Sequence, residues 1–188
     1  MSFSGNIKEE LAQHYGRARH CQLAELSAIL HMCGEFSEDS KGVCTLKFHT
    51  ENLPVARKCF TLMEKTFNIK TGIVIRKNPT RGNCVFFLYW KGDELLAVKN
   101  TIVQAVCCKR AYIRGAFLAA GSMSDPRKSY HFEIVCNSEE AASYLRDMIN
   151  SFDMDAKIVQ RKKTSVVYLK EGEQIVDILN VMEAHVAV

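Results

Sequence analysis

Cysteine and histidine are the residues of this chain best able to do chemistry, and 188 positions hold eight of the first and six of the second. Thiolate and imidazole bind soft divalent metals, and paired thiols form disulfides. The local spacing points to neither. No Cys-x-x-Cys pair occurs, and Cys107-Cys108 are adjacent, a strained pair for chelating one ion as neighbours in a helix. Cys33, Cys44 and Cys136 sit inside apolar runs, where free cysteine behaves as a small hydrophobe. The expectation is reduced structural thiols, with no metal and no cofactor. His31 is expected to be a packed, hydrogen-bonded histidine rather than a ligand. Cys107-Cys108 are expected at a helix-to-helix contact.

The elements that must position these residues occur twice. Leu26-Ser27-Ala28-Ile29-Leu30-His31-Met32-Cys33-Gly34 returns as Ile113-Arg114-Gly115-Ala116-Phe117-Leu118-Ala119-Ala120-Gly121. Downstream, Phe67 returns as Phe152, Arg76 as Arg161 and Gly92 as Gly172. A nearly constant period marks a duplicated structural unit. In the first unit a helix over about 21–33 is stopped by Gly34, and the turn Glu38–Gly42 joins a short strand near Phe36 to a longer one over 43–50. Pro54 opens a helix that runs to Phe67, with Val55, Cys59, Leu62 and Met63 buried. Strands over about 71–77 and 83–90 follow, then a helix from an Asp93 cap to about Val106.

The second unit repeats this order. It reads as a helix over 110–120, a turn at Ser124–Arg127, a strand over 130–136 and a helix capped by Asn137 or Ser138 that ends at Phe152. Strands over about 156–162 and 164–169 lead to a last helix after Gly172. Alternation places Cys44, Leu46 and Phe48 on one face of their strand and Thr45, Lys47 and His49 on the other. Phe86, Leu88 and Trp90 alternate with Phe87 and Tyr89, so at least one of these sets belongs to the core. A short helix capped by Asn6, with Ile7, Leu11 and Tyr15 on one face, precedes both units. Each unit is thus αββαββα, and antiparallel hairpins covered by helices make the fold class α+β. The expected organisation is an N-terminal helix and lead-in over 1–19, a first repeat over 20–107 and a second over 108–188, docked into one pseudo-dimeric domain.

Bulk properties narrow the function classes. Hydrophobic content of 47% and charged content of 24% suit a globular protein. No apolar run approaches the roughly 20 residues of a membrane span, and the first residues lack the pattern of a signal peptide. These features predict a cytoplasmic chain with no membrane partner. The net charge of +4 resides wholly in the first 107 residues, and the rest is balanced. Such a charge permits nucleic-acid binding without establishing it.

The two nine-residue segments resemble the LAGLIDADG motif of homing endonucleases. A finer match lies in Ala111-Tyr112-Ile113-Arg114-Gly115-Ala116-Phe117-Leu118, in Ser124-Asp125-Pro126-Arg127-Lys128-Ser129-Tyr130-His131 and in Tyr168-Leu169-Lys170-Glu171-Gly172-Glu173-Gln174-Ile175. These resemble the WhiA family, transcription regulators of sporulation and cell division in Gram-positive bacteria. The resemblance covers essentially the whole chain. Members of that family carry a helix-turn-helix domain after the LAGLIDADG part; none occurs before Val188, so the resemblance reads this sequence as a fragment.

The resemblance implies a LAGLIDADG homing-endonuclease-like fold with antiparallel saddle-shaped sheets. Small residues at Ala28, Gly34, Gly115, Ala119 and Gly121 would let the two repeat helices approach closely. In the endonucleases each helix end delivers an acid to Mg²⁺, but here those positions are Cys33 and Ala120. Mg²⁺ requires oxygen ligands, so the resemblance implies a scaffold that is not an enzyme. Glu35 could supply one carboxylate, yet its counterpart is Ser122.

Side chains on the saddle's outer face would meet double-stranded DNA. The candidates are Lys47, His49, Arg76, Lys77, Arg81, Arg161, Lys162 and Lys163, mostly as phosphate contacts. The same charges serve equally as a solvated sheet face, and Glu133, on the strand that matches that of Lys47, would turn a carboxylate toward phosphate. Binding by these residues alone is expected to be weak. The expected partners are DNA, or a protein or the missing helix-turn-helix domain, for a monomeric, nucleoid-associated chain. A protein-interaction platform without DNA contact and a residual endonuclease are the alternatives.

Overall fold

Local capping and turn chemistry set several of the element boundaries. The structure, a computed structural model, describes residues 2–69 and 74–185. Helix α1 (Phe3–Ala12) starts at Ser2, whose hydroxyl accepts from the Gly5 amide at 3.0 Å. Asn6, expected as the cap, lies inside that helix, its own amide bonded to the Ser2 carbonyl. Helix α2 (Arg19–Cys33) passes straight into β1 (Gly34–Glu38): Gly34 is extended, with φ −107° and ψ 158°, rather than a left-handed stop. Asp39 accepts from the Lys41 and Val43 amides and turns the chain, through Gly42 at φ 78°, into β2 (Cys44–Thr50). Asn52 caps α3 (Leu53–Phe67) by accepting from Val55 N, and Pro54 lies in the first turn.

Strands β3 (Val74–Lys77) and β4 (Cys84–Lys91) follow, and the expected strand residues 71–73 lie outside the described residues. Helix α4 (Glu94–Lys99) is shorter than the helix expected to run to Val106. Thr101-Ile102-Val103 is a β-branched run, which loses side-chain freedom in a helix. The chain instead extends past it, burying Val103 and leaving Ile102 exposed. Helix α5 (Val106–Ala120) therefore begins earlier than expected and takes Cys107-Cys108 into its first turn. The remaining elements are β5 (Gly121–Met123), β6 (Phe132–Cys136), α6 (Glu139–Asn150, capped by Ser138), β7 (Lys157–Arg161), β8 (Thr164–Leu169) and α7 (Gly172–Val181).

Each unit is αββαββα, and its strands form an antiparallel sheet of the same order: β1-β2-β4-β3 and β5-β6-β8-β7. Side chains alternate as the period of two requires. Cys44, Leu46, Phe48, Phe86, Leu88 and Trp90 are buried against helices, while Lys47, His49 and Tyr89 face outward.

The two units meet along α2 and α5. A Cβ added at Gly115 would run into the Glu25 carbonyl oxygen and lie 3.0 Å from Ala28 Cβ, so the backbones touch there. At the helix ends the glycines are tight against their own units. A Cβ at Gly34 would lie 2.6 Å from Leu30 O, and one at Gly121 2.8 Å from Phe117 Cα.

Beside Gly115 lies a charge network that the sequence does not announce. Glu25 is fully buried and accepts from Arg114 Nε at 2.9 Å and Nη2 at 3.4 Å. Lys58, also fully buried, lies 3.3 Å from the same carboxylate and donates to the carbonyls of Leu11 and His14. Arg114 Nη1 reaches Glu183 at 3.0 Å. Burial pushes the Lys58 amine down to about 8 against the pull of Glu25. The two cations compete for the Glu25 carboxylate, and removing it would leave Lys58 without an acid and Arg114 with Glu183 alone.

Gly115→Leu is therefore expected to destabilise the fold by about 1–3 kcal/mol through overpacking. Glu25→Ala should cost on the order of 3–5 kcal/mol, because it leaves the buried Lys58 amine without its acid and Arg114 with Glu183 alone. Urea unfolding of the purified variants measures both, and an unchanged midpoint for either would contradict the close contact described here.

Candidate nucleic-acid interface

Directly paired residues of antiparallel strands share a face, so the registers decide which basic residues act together. On the first sheet Glu35, Lys47 and Tyr89 form one cross-strand row, and His49, Phe87 and Val74 form the next. Arg76 pairs with Val85 on the same outward face. Its guanidinium sits 5.2 Å over the Phe87 ring, which stacks on His49 at 6.1 Å. These side chains line a concavity of about 440 Å³. Lys77 pairs with Cys84 and so belongs to the opposite face, away from Lys47 and Arg76. Arg81 is exposed in the turn between β3 and β4. Among the described residues, neither Lys47 nor Arg76 is held in an ion pair.

The second sheet presents a different surface. Ser122, Glu133, Tyr168 and Lys157 form its equivalent row. Glu133 occupies the position of Lys47 and gathers its neighbours: Arg161 Nη2 at 3.1 Å, His131 Nε2 at 3.3 Å and the Ser122 hydroxyl at 3.4 Å. Arg161 is thus engaged within the protein, and an incoming phosphate would have to displace a carboxylate. Lys162 and Lys163 form the exposed two-residue turn between β7 and β8.

At the junctions of helix and strand the chemistry is apolar. Cys33 Sγ donates to the Ala119 carbonyl at 3.2 Å, a hydrogen bond from one unit to the other. Burial pushes this thiol up to about 11, with nearby Lys8 pulling it back slightly, so it stays protonated at neutral pH. Ala120 offers a methyl group. Lys8 itself sits 5.7 Å over the Phe117 ring, its amine lowered by burial. The nearest acid along the chain, Glu35, is exposed on β1 opposite Lys47.

One turn before the end of α2, His31 is the packed histidine its surroundings predict. Nε2 lies 3.2 Å from the Lys99 carbonyl and Nδ1 3.4 Å from the Tyr112 hydroxyl, which suits the neutral ring. Burial lowers its pKa, the Lys99 carbonyl only partly opposing. His14 is lowered too, first by burial and then by Arg114.

Two groupings escaped the sequence reading. One is the Glu25–Lys58–Arg114 network, whose members lie on three different helices and meet only in the fold. The other gathers His20, Cys21, Cys107 and Cys108 at the start of α2 and α5. Their spacing along the chain had spoken against metal, since it treats each pair within its own helix.

Family models of the WhiA N-terminal LAGLIDADG-like domain and the WhiA LAGLIDADG-like domain match residues 19–102 and 109–188. A probable cell division protein WhiA from Lachnoclostridium phytofermentans is 50% identical, over 98% of this chain and 66% of its own. One from Alkaliphilus oremlandii is 43% identical, over 100% of this chain and 66% of its own. The chain spans just under two thirds of the length of these curated relatives, which are named as cell division proteins rather than enzymes. The crystal structure of full-length DUF199/WhiA from Thermatoga maritima is similar with a TM-score of 0.82 at 23% identity, over 100% of this chain and 65% of that one. The homing endonuclease I-DmoI in complex with DNA and Mn gives 0.62 at 11% identity, over 87% and 96%. These likenesses establish a LAGLIDADG homing-endonuclease fold. No described helix is long and apolar enough to cross a membrane.

Histidines with depressed folded-state pKa values stabilise the fold above their unfolded value, near 6.5, and lose that contribution as pH falls below it. The urea midpoint is expected to drop between about pH 7.5 and pH 5.5. His31→Asn should reduce that drop, and an identical drop in the variant would remove His31 from the account.

Proposed function

This chain belongs to the WhiA family, and on that premise we propose that it is a non-catalytic LAGLIDADG-type domain of a bacterial transcription regulator active in cell division and sporulation. Residues 20–107 and 108–188 act as two halves of one domain that assists DNA binding at the nucleoid. The observation that carries this reading is the pair of helix ends. Cys33 is a protonated thiol bonded to a carbonyl, and Ala120 has no ligand atom at all. Two-metal phosphodiester hydrolysis needs carboxylates at both places, and the buried amine of Lys8 beside Cys33 further disfavours a divalent cation.

DNA contact rests on the first sheet. Lys47 and Arg76 share one outward face with His49, while Arg161 on the second sheet is tied to Glu133. Contact made by a few lysines and arginines is weak, nonspecific and salt-sensitive. A second reading, a protein-docking platform, is favoured by apolar surface on the same face, where Tyr89 is 60% and Val74 55% exposed. The helix-turn-helix of the longer family members is one candidate partner for it.

A gel-shift series in salt separates the two. Phosphate contact predicts affinity that falls with log salt at a slope of about −2 to −4, for two to four contacts. Arg76→Glu should abolish low-salt binding and Arg161→Glu should weaken it less, neither lowering thermal stability. No binding to any duplex at low salt would favour the docking reading. Supercoiled DNA incubated with Mg²⁺ should remain intact; reproducible cleavage that survives Cys33→Ala would refute the reading of the helix ends.

A further inference from the structure

The far end of the helix pair, away from Cys33 and Ala120, holds the densest grouping of ligand atoms among the described residues. His20 and Cys21 occupy the second and third positions of α2, and Cys107 and Cys108 occupy the same positions of α5. His20 and Cys107 are 87 positions apart, the interval that also separates Gly34 from Gly121. The duplication therefore brings two adjacent pairs face to face across the pseudo-dyad. His20 Nδ1 lies 3.1 Å from Cys108 Sγ, 3.5 Å from Cys21 Sγ and 3.9 Å from Cys107 Sγ. All four ligand atoms fall within 4.8 Å of one another.

We propose that His20, Cys21, Cys107 and Cys108 form a mononuclear binding site for a soft divalent cation of the zinc class, which clamps the two repeats together. Tetrahedral zinc, with bonds of about 2.3 Å to sulfur and about 2.0–2.1 Å to nitrogen, sets its ligands about 3.5–3.8 Å apart. The observed separations bracket that range. Each adjacent pair supplies only two ligands, so neither helix can enclose an ion by itself. Two such pairs on facing helices close the polyhedron.

The surroundings match an anionic metal centre. Helices α1, α3 and α6 are capped by Ser2, Asn52 and Ser138, but α2 and α5 begin at Ala18 and Ala105 with no side-chain cap and no acid in the first turn. Two helix N-termini thus converge on the thiols with no acid in their own first turns. The Glu183 carboxylate in the adjoining cavity is held by Arg114, and Arg17 and Arg110 line that cavity with Cys21 and Cys107. Three thiolates and a neutral imidazole around Zn²⁺ carry one net negative charge, which these groups stabilise. Binding of the cation replaces the three thiol protons and involves no redox change. His20 and Cys107 are exposed, so an ion has an entry path, whereas Cys108 is only 9% exposed.

The test uses the full chain purified under reducing conditions. Elemental analysis should find one zinc per chain after reconstitution, and Co²⁺ should give thiolate charge-transfer bands with tetrahedral ligand-field intensity. Cys107→Ser and His20→Ala, both at exposed positions, should lose the metal and keep a native circular dichroism spectrum; Cys84→Ser, outside the cluster, should retain it. Zinc should also protect three thiols from modification and raise the melting temperature, and a chelator should reverse both. No zinc after reconstitution, equal zinc in the Cys107 and Cys84 variants, or a mass lighter by two hydrogens with no metal, which marks a disulfide, would each overturn the proposal.

Discussion

The contact of α2 with α5 at Gly115 governs how the rest of the molecule is placed. Where the two backbones touch, Arg114 comes within reach of Glu25, and Lys58 reaches the same carboxylate from α3. A larger residue at 115 would part the helices and separate this buried charge set from its partners. Because the network leaves no slack for an unpaired ion, the interface tolerates one separation and one register. The Cys33–Ala119 hydrogen bond and the grouping of His20 with three cysteines, near opposite ends of the same helices, both follow from that register.

On this symmetric frame the two halves carry different chemistry. Lys47 and Glu133 hold equivalent places on the two sheets, as do Glu35 and Ser122. Among the described residues Lys47 and Arg76 of one sheet are free of ion pairs, whereas Arg161 of the other is paired with Glu133. The backbone duplication is thus retained for shape while the outward side chains diverge. Packing restrains the interior of both units and leaves their exposed faces free to differ.

Much of the fold was legible because its signals are local. The repeat of Leu26–Gly34 as Ile113–Gly121, the alternation along 43–50 and the Asn52-Leu53-Pro54 helix start each follow from residues within a few positions of one another. The misplaced features depend on competition or on distance. Asn6 could cap a helix, but Ser2 does so first; the helix after Asp93 stops ahead of the β-branched run Thr101-Ile102-Val103, whose Val103 is buried in the core. Lys77 looked equivalent to Arg76 until the pairing with β4 put it on the other face. For the candidate site, the basic residues of the first sheet could be read by alternation, whereas the engagement of Arg161 by Glu133 could not. Glu25, Lys58 and the four ligand-bearing residues come together only in three dimensions.

Gly34 and Gly121 join helix to strand with no intervening loop. Loops normally act as compliant joints that absorb small rotations of the elements they connect. Here α2 and β1 form one stiff arm, as do α5 and β5, and the two arms are riveted to each other at Gly115. A small change in the crossing angle of the helices would therefore be transmitted as leverage to the strands, opening or narrowing the gap between the two outward faces like the jaws of a caliper.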